Sequence, residues 1–146
     1  MLPWIERIDD RQAAIVTSLT AALSTRVVKR SLLHYDQHEP GEIETGVVML
    51  VSDGESQYSQ NLGMTAKEGK HGQLLIGHLK VAEDSEPLAI ELAEMALIEE
   101  IKSWVRSGVS GMSFEIEAAQ HSRQLEHPYG WVVVKLNAIP PRTNVY

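Results

Sequence analysis

The clearest periodicity in the chain runs through LAIELAEMALIEEIKSWVRSG, from Leu88 to Gly108. On a helix advancing about 100° per residue, Ile90, Ala93, Leu97, Ile101, Trp104 and Val105 share one broad arc. That arc predicts a face packed on a sheet. Leu88, Leu92, Met95 and Ala96 fall on the opposite side. Further along, that opposite side carries Glu99, Lys102, Ser103 and Arg106. The helix therefore has a second apolar stripe over its first two turns only. Either a loop, the first helix or the N-terminal segment covers it, or another subunit does. Glu91 and Glu94 fall near the edge of the core arc, as solvated charges or as partners of a basic group. Ser85 is placed to cap this helix, Pro87 suits its first turn, and Gly108 suits its end.

An earlier helix is predicted from Ile15, Leu19, Ala22 and Leu23, which share one face, with Asp9 and Asp10 as caps and an end near Thr25. Val27, Val28, Leu32 and Leu33 suggest a short or irregular strand closed by Pro40 and Gly41. IETGVVMLVSDG reads as a strand, and QLLIGHLKVA as its returning partner. Between them, residues 52–72 form a polar stretch with four glycines, predicted as a long mobile loop. MSFEIEAAQ sets Phe114, Ile116 and Ala118 against Glu115 and Glu117, and GWVVVKLNAI follows the turn EHPYG as a strong last strand. Residues 1–8, with Trp4, Ile5 and Ile8, read as a first turn or an arm; residues 139–146 read as a tail that leaves the sheet at its paired prolines. The expected architecture is α+β in one domain, residues 1–146. A mostly antiparallel sheet of four to five strands, with a wide-loop hairpin, packs against two main helices.

Charge changes this picture more than composition does. The net charge is −7, with 13 basic residues against 20 acidic ones. Arg26, Lys29 and Arg30 form the only small basic cluster. Nucleic-acid binding through phosphate neutralisation is disfavoured by that balance. With no cysteine, the chain has no disulfide framework and no thiolate metal site or nucleophile. No stretch reaches the ~20 apolar residues of a membrane span. MLPWIERIDDR is acidic and lacks the apolar run of a signal peptide.

Candidate chemistry is sparse. HYDQHE brings His34, Asp36, His38 and Glu39 together; the His34/His38 spacing could hold a metal if the segment were helical. HSRQLEH adds His121, Glu126 and His127 near a turn. Solvated loop histidines are the plainer reading of both. GxSxG and GK[ST] motifs are lacking, and aromatic residues make up 5% of the chain, too few for a base-stacking platform.

Taken in order, IVTSLTAALSTRVVKR, GVVMLVSDG with QLLIGHLKVA, LAIELAEMALIEEIKSWV, MSFEIEAAQ and HPYGWVVVKLNAI resemble the tail terminator (tail-completion) proteins of long-tailed bacteriophages. HPYG at 127–130 is similar to the turn between that family's closing strands. The resemblance spans roughly residues 8–146, and related head–tail joining and neck proteins share parts of the same order. It implies a non-enzymatic virion protein without a cofactor, assembled as a homohexameric ring on the last ring of the tail tube. Such a ring ends tail polymerisation and offers a surface to the head connector or neck. Its implied partners are further copies of itself, the major tail tube protein, the neck protein and, in a contractile tail, the sheath; genomic DNA passes through the lumen without specific binding. Its implied location is the head–tail junction of the virion, after assembly in the host cytoplasm. On this reading Trp4, Ile5, Leu88, Leu92 and Met95 are candidate ring contacts. Tyr58, Asn61, Met64, Lys67 and Lys70 are candidate tube or neck contacts. The competing readings are another joining or neck protein, a small metal-dependent enzyme using His34 and His38, and a monomeric adaptor that binds a peptide along a sheet edge.

Overall fold

The computed structural model describes residues 4–58, 69–109 and 112–140. Its elements run α1 (Ile8–Ala22), β1 (Val27–Lys29), a tight helical turn (Tyr35–Gln37), α2 (Glu42–Thr45), β2 (Val47–Ser56), β3 (Lys70–Lys80), α3 (Pro87–Ser107), β4 (Ser113–His121) and β5 (Tyr129–Ile139). The five strands form one sheet in the order β1-β2-β3-β5-β4. β1 runs parallel to β2, and every other pair is antiparallel. The fold is α+β.

Strand position follows side-chain character. β5 carries Val132, Val134, Leu136 and Ala138 on its helix-facing side, all essentially buried, and it lies inside the sheet. β4 carries Glu115 and Glu117, is largely exposed and forms an edge, where charge discourages unwanted pairing. Ile15, Leu19 and Leu23 from the first helix and its end, with Ile90, Leu97, Ile101 and Trp104 from α3, close the core over β2, β3 and β5. Gly77 and Gly130 allow α3 its close approach: a Cβ at either would stand within 2.5–2.6 Å of an α3 side chain.

Several local expectations are corrected. Asp9 and Asp10 are first-turn residues of α1, and Arg7 takes the cap position without a side-chain cap bond. Asp9 instead accepts from Arg7. Glu86, not Ser85, is the cap residue of α3; the Ser85 hydroxyl donates to the Ala82 carbonyl. Ile43–Thr45 belongs to α2 rather than to a strand, and Gly46, with φ of +98°, makes the turn into β2. β2 and β3 extend into the stretch predicted as loop, so only residues 57–69 connect them.

Two bulges also break simple alternation. In β2 the register shifts between Ser52 and Glu55, around Gly54 with φ of +81°. Ser52 opposes Gln73 and Glu55 opposes His71, so the extra residue turns both onto the inner face. In β4 the shift between Ile116 and Ala118 sets Ile116 opposite Leu136 but Ala118 opposite Lys135. Phe114, Ile116 and Ala118 therefore do not share one face, contrary to the alternation in the sequence.

Candidate functional site

The second stripe of α3 is about half exposed. Leu88, Leu92 and Met95 are 48%, 55% and 49% exposed, while Ile90, Leu97 and Ile101 on the other side are fully buried. Burying a leucine or methionine side chain is worth roughly 1.5–3 kcal/mol, so three of them at helical spacing offer a compact contact surface. α3 packs on β5, β4 and β3, and β4 is an outer strand of the sheet.

Trp4 does not join this surface. It is 9% exposed, belongs to this chain's own core, and has the Arg11 guanidinium 4.1 Å above its ring. Ile5 packs partly against the same core, and its carbonyl accepts from Arg11 Nε at 2.9 Å. Residues 4–8 are therefore bound to their own chain and not a free arm. A tryptophan here could serve the core or a partner, and its burial under the Arg11 guanidinium decides for the core. Among the proposed tube or neck contacts, Tyr58 is exposed, with its hydroxyl donating to Glu55 at 3.3 Å. Lys70 lies within β3, half-buried and 4.0 Å from Glu115, so it is a strand residue and not a loop residue. Asn61, Met64 and Lys67 lie outside the described residues.

Glu94 departs most from its sequence reading. It is fully buried on α3. Its carboxylate accepts from the Trp131 N–H at 3.0 Å, from the Ser122 N–H and hydroxyl, and lies 3.3 Å from His121 Nδ1. The β4 ladder stops at His121, opposite Val132. Glu94 therefore satisfies the first backbone donor of β5 that β4 no longer reaches. A buried carboxylate is tolerated when its oxygens are met in this way.

Beneath the start of α1, Arg11 has no solvent exposure. It donates to the Ile5 and Glu6 carbonyls, to Glu55 at 3.0 Å and to His71 Nδ1 at 3.2 Å. His71 Nε2 in turn lies 2.7 Å from the Ser52 hydroxyl. An arginine can only donate. His71 Nδ1 must therefore accept, and the ring proton sits on Nε2, facing Ser52. Burial first, then the Arg11 charge, holds the His71 pKa below the ordinary histidine value. A catalytic base would need a bare nitrogen toward the serine, so this Ser–His contact is a structural one.

On the opposite face of the sheet, residues 33–45 cover part of β2 and β3. Leu33 N–H meets Met49 Sδ, Tyr35 stacks on His78 with ring centres 4.2 Å apart, and His38 Nε2 lies 2.9 Å from His78 Nδ1. Burial, then the neighbouring His38 and His34, pushes the His78 pKa down to about 4. His34 and His38 do not form a metal pair. His38 bonds His78, His34 caps the tight turn that holds Tyr35, and among the described residues no three His, Asp or Glu stand close enough to hold one ion. His127 Nε2 lies 3.1 Å from the Ser85 hydroxyl. Alongside the His38–His78 pair opens a cavity of about 320 Å³, lined by Tyr35, Tyr129, Lys80, Glu126 and residues of the 36–44 segment. Sequence reading singled out His38, Glu39 and Glu126 individually, but nothing local joins residues ninety positions apart.

Compared with known proteins, the chain matches no protein-family model, and no curated protein matches it significantly.

Proposed function

We propose that this protein is a ring-forming component of a long-tailed phage particle, acting as the tail terminator that caps the tube and receives the head connector. The observation that carries this reading is the exposed Leu88–Leu92–Met95 stripe on an otherwise well-packed helix. A closed ring uses two different patches on each subunit. This stripe is one such patch, and a different surface of the next copy is its counterpart. The order of helix, hairpin, long helix and two closing strands agrees with the family resemblance. The acidic net charge suits a lumen through which DNA slides without adhering.

Electron microscopy of particles assembled without this protein tests the reading. Tails of irregular, excess length support the terminator. Tails of normal length left unattached to heads point instead to a joining protein of the neck. Normal, joined particles refute both.

A further inference from the structure

We propose that the cavity beside the His38–His78 pair is a binding site for an organic cation, an ammonium or guanidinium on a short alkyl stem. Three separated parts of the chain build it: the segment around Tyr35 and α2, the end of β3 at Lys80, and the turn at Glu126–Tyr129. Its volume of about 320 Å³ is at the lower end of the range for small-ligand sites and suits a single side chain or a short amine.

The lining selects the charge. Asp36, Glu39, Glu44 and Glu126 face Lys80 alone, with the histidine neutral. The Lys80 charge is already engaged, 5.2 Å from the Tyr129 ring centre and 3.6 Å from Glu83. The carboxylates do not converge: among the described residues no three acidic or histidine groups could share a metal ion. An inorganic divalent ion, which needs six or more oxygens close around it, has no shell here. A longer cation does. Its stem can lie on Tyr35, Tyr129 and Ile43, and its head can reach a carboxylate on the wall.

Beside the carboxylates, two polar atoms of the wall have no hydrogen-bond partner in the chain. The Tyr35 hydroxyl is buried and meets no partner within the chain in hydrogen-bonding geometry. Burial and the nearby Glu126 carboxylate raise its pKa, so the oxygen stays a neutral hydroxyl. His38, in the same wall, also has a buried ring nitrogen, Nδ1, without a partner. An ammonium or guanidinium can donate to the Tyr35 oxygen while its charge meets a carboxylate of the wall; a neutral diol can do only the first. The inference stands apart from the ring reading, since the cavity lies on the opposite side of the sheet from α3.

The test is calorimetric titration of the full chain at low ionic strength. The probes are putrescine, N-acetyl-arginine methylamide and the neutral diol of the same length as putrescine. The expected result is saturable binding of at least one cation and none of the diol. Tyr35→Phe and Glu126→Gln should each weaken binding about tenfold, the value of one hydrogen bond to a charged group. A preference for the arginine derivative identifies a partner's side chain as the natural occupant; a preference for putrescine identifies a free amine. The proposal is overturned if neither cation binds saturably, if the diol binds as well, or if both variants, folded by circular dichroism, bind like the parent. Should a variant fail to fold, cation against diol on the parent chain decides alone.

Discussion

Replacing Arg11 by methionine tests whether the buried cluster under α1 is held by charge pairing. The stem is kept at similar length, and the guanidinium is lost. Arg11 and Glu55 side chains are 0% and 5% exposed and meet at 3.0 Å. The Ile5 and Glu6 carbonyls that Arg11 also binds lie in a partly exposed stretch, so water can replace the arginine there. Glu55, its side chain 5% exposed, would keep only the long 3.3 Å bond from the Tyr58 hydroxyl. A buried charge stripped of its partner costs about 3–5 kcal/mol, a large part of the roughly 5–15 kcal/mol that holds a domain of this kind together. Loss of the desolvated cation above Trp4 adds about 2 kcal/mol. The double change Arg11→Met with Glu55→Leu removes both charges, and most of the loss should be recovered. Urea unfolding followed by far-ultraviolet circular dichroism gives the differences from the midpoints, provided the slope is constant. A cost below about 1 kcal/mol for Arg11→Met, or a double variant as unstable as the sum of the singles, would refute the reasoning.

Three further outcomes follow from the same structure. His78 has its pKa lowered to about 4, against an ordinary value of 6.5, so its contribution is complete above about pH 6.5 and is lost as pH falls toward 4. The loss amounts to about 2–3 kcal/mol after allowance for partial solvation; in urea midpoints measured across that range, His78→Phe should flatten the slope, and an unchanged slope contradicts the assignment. Gly130→Ala places a Cβ 2.5 Å from Glu94 Oε2 and from Ile90 Cγ1, so overpacking of about 1–3 kcal/mol is expected, measured by the same unfolding assay. Leu92→Asp, at an exposed position, should change the stability of the subunit by no more than about 0.5 kcal/mol yet abolish assembly, read by light scattering or by failure to complement a deletion; intact assembly removes the stripe from the interface.

Much of the fold is legible in the sequence because periodicity reports burial directly. The two faces of α3 were separable on a helical wheel, and the structure leaves Leu88, Leu92 and Met95 exposed while it buries Ile90, Leu97, Ile101 and Trp104. The β2–β3 hairpin and the β4–β5 pair are likewise readable from apolar runs and turn residues. The order of strands is not, because placing β5 between β3 and β4 depends on which strand can be buried on both sides at once.

The polar interior was hidden for a different reason. Nothing local marked Arg11 or His71 for burial, and Glu94 read as an edge charge or the partner of a basic group, because a charge is buried only when distant partners meet it. Glu55 reaches Arg11 only through the bulge at Gly54, which no alternation rule anticipates. Glu94 meets Ser122 and Trp131, 28 and 37 residues away, because β4 ends one step short. The wall of the cavity likewise joins Tyr35 to Glu126 and Tyr129 across the sheet. Local hydrophobic spacing thus determined the two long helices, the buried face of α3 and the apolar runs of β2, β3 and β5. Only the packed chain decided which polar groups meet, since those contacts depend on register, strand ends and long-range closure.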